Sequence, residues 1–152
     1  MNKPKLVVTS MDEPIAELVR KSDHKTLAIW AADCAERVLP YFEENYPQDV
    51  RPRDAIEAAR TWARTSMLKM ADVRRVSLAA HAAAREVQDD DAARSTARAA
   101  GQAMATAHVP THSIAAAIYA ASAVRDATGS TDAVDQERDW QYQHLLDLRD
   151  EH

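Results

Sequence analysis

Asp91-Ala92-Ala93-Arg94-Ser95-Thr96-Ala97-Arg98-Ala99-Ala100-Gly101-Gln102-Ala103-Met104-Ala105-Thr106-Ala107-His108-Val109-Pro110-Thr111-His112 sets the pattern for the whole chain. Alanine is the best helix former, and it recurs here with a single glycine and no proline before Pro110. Ala93, Ala97, Ala100 and Met104 fall at helical spacing, and the same stripe runs on four residues to His108. The acidic run Asp89-Asp90-Asp91 supplies an N-cap and favourable charge at the start. Pro110 stops the helix. The spacing therefore predicts a helix whose buried stripe includes His108. A second helix follows, with His112 in its first turn and Ile114, Ile118, Ala121 and Val124 facing inward.

The same reasoning extends toward both ends. Ser10-Met11-Asp12-Glu13 has the form of a capping box opening a helix that carries Ile15, Leu18 and Val19. Ser22 or Asp23 caps a longer helix with the stripe Leu27, Trp30, Ala31, Cys34, Val38 and Phe42, kinked or ended by Pro40 near Leu39. Pro52 suits the first turn of a helix carrying Ile56, Ala59, Ala63 and Met67. Another begins near Met70 and presents Val73, Val76, Ala80, Ala83 and Val87. Gly129-Ser130-Thr131 reads as a C-cap followed by an N-cap, and the last helix carries Val134, Trp140, Leu145 and Leu148. Lys5–Thr9 is the single candidate for a short extended piece. The expected fold is all-α: a compact bundle of six or seven alanine-rich helices in one domain over residues 1–152, with residues 1–9 extended or flexible.

Composition narrows the function. Of the 152 residues, 46% are hydrophobic and 28% charged, which suits a globular chain with a real core. The net charge of −5 argues against general binding to nucleic acid or anionic membrane, both of which need a cationic face. No window approaches the roughly 20 apolar residues of a membrane span. The lone cysteine, Cys34, forms no internal disulfide, and the apolar run near the start is too short for a signal peptide. The cytoplasm is the expected location.

Two constellations could carry chemistry. His108 and His112 flank Pro110 at a helix junction, and with His81 they could line a pocket for a small anion, a metal or a peptide group. Equally, His108 could be a satisfied core histidine and His112 a helix-start residue. On the earlier helix, Trp30, Asp33, Cys34, Glu36 and Arg37 form a second group: Trp30, Cys34 and Arg37 fall on or beside one face with Asp33 at its edge, where a carboxylate and a thiol near histidines could bind zinc. The plainer alternative is an Asp33–Arg37 pair across one turn and a small buried Cys34. Arg74, Arg75, Arg85, Arg94 and Arg98 could form a basic ridge, although acidic neighbours favour a solvated mixed-charge surface. Ser66-Met67-Leu68-Lys69 matches Ser-x-x-Lys without its companion motifs, and no phosphate-binding glycine loop is present.

Four ordered blocks add a resemblance. They are residues 30–40 (WAADCAERVLP), 52–60 (PRDAIEAAR), 79–85 (AAHAAAR) and 105–112 (ATAHVPTH). Together, across roughly residues 24 to 148, they resemble the immunity-protein family associated with bacterial polymorphic toxin systems. Relatives carry a loose DNA-repair exonuclease label, which these residues do not support. The resemblance implies an all-α protein that binds and neutralises a cognate protein toxin without catalysis, and it transfers no catalytic residues. The alternative is a small-ligand or metal-binding enzyme using the histidine-lined pocket of His81, His108 and His112. A homo-oligomer built on the C-terminal aromatics is a third expectation, and any cofactor is left open.

Overall fold

A computed structural model describes residues 5–151, which form eight helices and, among the described residues, no strand. These are α1 (Asp12–Arg20), α2 (His24–Val38), α3 (Pro40–Glu43), α4 (Arg51–Thr65), α5 (Met70–Glu86), α6 (Asp91–Ala105), α7 (His112–Thr128) and α8 (Thr131–Asp150). One helix exceeds the expected six or seven. Pro40 ends α2 after Val38, then occupies the first position of the short α3, where its missing N–H costs nothing. The first four residues of the extended segment expected over 1–9 lie outside the described residues.

The alanine-rich helix α6 is the axis of the bundle. α6 packs against α7, α5, α4, α2 and α3, so it is buried on nearly every side. Its inward residues are small, including Ala93, Ala97, Ala100 and Gly101, and α7 answers with Ala116, Ala117, Ala120 and Ala121. Small side chains let these two axes approach closely. The bulk of the core comes from the surrounding helices: Ile15, Trp30, Phe42, Ile56 and Leu145 are all essentially inaccessible to solvent.

Punctuation by capping mostly follows local sequence. Asp23, Asp90 and Ser130 accept hydrogen bonds from the backbone N–H of Thr26, Ala93 and Ala133. Gly129 closes α7 in the left-handed region, with φ 65°. The capping box at Ser10 does not form. Met11 is the N-cap of α1, and Asp12 turns back to accept from the Thr9 N–H and hydroxyl. Glu13 is drawn instead toward Arg20. Between Leu6 and Thr9 no strand forms. Val7 is buried and donates its N–H to Ser122 Oγ at 3.0 Å, which seats this segment on α7.

Two helix ends fall short of the sequence expectation. α4 stops at Thr65 because Ser66 takes the left-handed conformation, leaving Met67 exposed rather than in the core. α6 stops at Ala105, after which residues 106–108 turn, so His108 is solvent-exposed and not on the buried stripe. The helical pattern predicted a continuation that the turn before Pro110 interrupts. None of the described helices is long and apolar enough to cross a membrane.

Candidate functional site

The candidate residues separate into two neighbourhoods and one outlier. Trp30, Asp33, Cys34 and Glu36 lie on α2, beneath α4 and α8. His81 of α5 and His112 of α7 each pack on α6, against Gly101 and Gln102 respectively. His108 stands apart in the exposed turn.

On α2, Trp30 is wholly buried and its indole N–H donates to the Gln141 carbonyl at 2.8 Å. It anchors α8. Asp33 accepts from Arg60 at 2.7 Å through one oxygen and contacts His144 Nε2 at 2.8 Å through the other. Glu36 shares the same Arg60 guanidinium at 2.7 Å. The expected Asp33–Arg37 pair is therefore absent. Arg37 reaches across to α8 and forms a two-pronged pair with Glu137 at 2.8 and 3.0 Å. Its guanidinium lies 3.9 Å from the centre of the Trp140 ring, and Trp140 stacks in turn on His144. The result is a layered surface cluster: Arg37, Trp140, His144, Asp33, Arg60.

Cys34 sits directly beneath this layer, fully buried. Desolvation, with Glu137 and Asp33 adding to it, pushes its thiol well above the ordinary cysteine range. It is held as a neutral thiol, a small core residue. Next to it Arg138 is buried on α8. It donates to Gln141 Oε1 and Asp12 Oδ1 at 2.8 and 2.9 Å, while its Nε has no partner.

The histidine pair is set by α6. Arginine can only donate, so the 2.8 Å contact from Arg98 makes His81 Nδ1 the acceptor and places the ring proton on Nε2. The ring lies flat against Gly101, where an added Cβ would fall 2.7 Å from His81 Nε2. Burial, reinforced by the charges of Arg98, Arg85 and then His112, lowers the His81 pKa to about 4, so the ring is neutral at pH 7. His112 Nδ1 donates to the Gln102 side-chain carbonyl at 2.9 Å. Among the described residues, no three histidine, cysteine or acidic side chains are placed to hold one metal ion.

Sequence reasoning did not single out His144, Glu137, Arg60 or Arg138. The signal for the first was available: Trp140 and His144 are four residues apart on one helix, the spacing at which side chains stack. Arg60 and Arg138 act through partners 27 and 126 residues away, which no local pattern reports.

Neither the curated proteins nor the solved structures gave a match. One family pattern matches residues 17–148, covering α2 to α7 entirely, most of α8 and the last four residues of α1. The chain belongs to the family described as Imm-5 like putative immunity protein.

Proposed function

We propose that this protein binds a cognate protein toxin directly and neutralises it by covering its working surface. The observation that carries the reading is membership of the immunity family over residues 17–148. The chemistry of the α2 cluster supports it. Both Asp33 oxygens are engaged by Arg60 and His144, Arg37 is held by Glu137, and Cys34 is a buried neutral thiol. These side chains tie helices together.

The outer face of α8 supports a docking role. Asp132, Asp135, Asp139, Asp147 and Asp150 are exposed at spacings of three, four, eight and three residues, forming one ridge without an exposed cation on the helix. Among the described residues none of the five is in an ion pair. Asp147 and Asp150 oppose the negative end of the helix dipole, an arrangement that costs helix stability. A basic toxin surface is the complementary partner, and such charge matching chiefly accelerates encounter. Co-expression with a toxic product of a neighbouring gene should restore growth of the host and yield a complex that survives gel filtration. Failure to bind any neighbouring gene product overturns the reading.

A further inference from the structure

The acidic balance of the chain conceals a concentrated basic cleft. Two adjoining cavities, of about 320 and 140 Å³, share Lys5, Arg94 and Arg98 as lining residues. Arg85, at the end of α5, completes the larger, and Tyr119 from α7 closes the smaller. Four cations from three separate parts of the chain thus face a common space. Asp89 lines the larger cavity and Ser95 the smaller.

The charge there is incompletely matched. Arg94 pairs with Asp91 at 2.9 Å and donates to the Gln88 carbonyl at 2.6 Å. Among the described residues, no carboxylate lies within ion-pair distance of Lys5, Arg85 or Arg98. Of the other acids, Asp89 lines the larger cavity beyond ion-pair distance of these cations, and Asp126 is already occupied by Arg125 and by the Ser95 hydroxyl. Like charges gathered with too few counter-charges repel, and the folded chain holds them together all the same.

They are also positioned. Arg98 is fixed by the 2.8 Å bond to His81, whose ring is wedged against Gly101. That bond uses one guanidinium donor on a neutral acceptor and leaves the others for the cleft. Lys5 is held through its backbone carbonyl, which accepts from Arg125 at 3.0 Å. A planar guanidinium fork oriented in advance is the usual device for oxyanion recognition. We propose that this cleft, formed by Lys5, Arg85, Arg94 and Arg98, binds a compact, multiply charged oxyanion of the phosphate type.

The test is an NMR titration of the isotope-labelled full chain with inorganic pyrophosphate, at constant ionic strength against sodium chloride. Saturable shifts concentrated at Lys5, Arg85, Arg94, Arg98 and Tyr119 are expected. Affinity should fall at least tenfold in Arg98→Ala and in Arg85→Ala. The second variant matters because Arg85 is exposed and unpaired, so its removal leaves the fold intact. Shifts that rise linearly and spread over all basic residues overturn the proposal, as does wild-type affinity in both variants. A parallel titration with ADP identifies the source. Tighter binding than pyrophosphate means the phosphate is carried on a nucleoside, and equal binding means the phosphate group alone suffices; both outcomes uphold the site. No toxin enters the experiment, so its result is independent of the immunity reading.

Discussion

Gly101 and His81 form a contact that only two helices together can make. A methyl group at Gly101 would lie 2.7 Å from His81 Nε2, too close for the ring to stay where Arg98 holds it. Gly101→Ala gains up to about 1 kcal/mol of helix propensity, yet overpacking costs about 1–3 kcal/mol. We expect a net loss of about 1–2 kcal/mol by urea unfolding, and His81→Ala in the same background should recover part of it. Additive losses would show that the two residues do not meet. The neutral His81 also gives stability a pH dependence. The folded ring titrates near 4 and the unfolded one near 6.5, so as pH falls the unfolded chain takes the proton first. The contribution is complete above about 6.5 and is lost as pH falls through about 4. The depressed carboxylates Glu17, Glu43 and Asp49 act below their ordinary values of 4.5 and 3.8, outside the window from 6.5 down to 4.5 in which His81 contributes. In His81→Gln the slope of unfolding free energy against pH should flatten in that window. An unchanged slope would reject the assignment. Both residues were plain in the sequence, but their meeting was not, because 20 residues and a turn separate them.

At the scale of the element, local signals were read well wherever the stabilising group was itself local. Asp90 accepts from the Ala93 N–H at 3.1 Å, so Asp90→Ala should cost about 1 kcal/mol in thermal or chemical unfolding. Ser10 makes no such bond, and Ser10→Ala should stay within about 0.5 kcal/mol of the parent. Equal losses at the two sites would restore the capping box that the structure replaces. The difference arises because Asp12 competes for the same turn, accepting from Thr9 where Glu13 was expected to reach back. The end of α6 shows the same limit. Pro110 correctly announced a break, but α6 ends at Ala105 and residues 106–108 turn, and that shift moved His108 from core to solvent.

For the whole molecule, the net charge of −5 is an average over unlike faces. α8, packed on α7, α2 and α1, carries the unpaired aspartate ridge, while the cleft beside α5 and α6 gathers Lys5, Arg85, Arg94 and Arg98. If α8 meets the toxin, the double variant Asp135→Lys, Asp139→Lys should lower the association rate about tenfold at low salt and flatten its salt dependence. Circular dichroism should be unaltered, since both positions are exposed. Stopped-flow mixing with the purified toxin measures this directly. An unchanged rate would move the docking face away from α8 while leaving neutralisation itself intact.

The sequence by itself determined the helices, most of their caps and the stripes that became core. These depend on propensity, spacing and side chains reaching only three or four residues, all of which are written locally. It also carried the family, through four ordered blocks that the match over residues 17–148 sustains. Only the tertiary structure decided which polar groups share a site. It paired Asp33 with Arg60 and His144 in place of Arg37, separated His108 from His81 and His112, and turned scattered arginines into a cleft. Those outcomes depend on the angle and rotation at which helices pack, which follow from side-chain interlocking across the bundle and not from the period of any one helix.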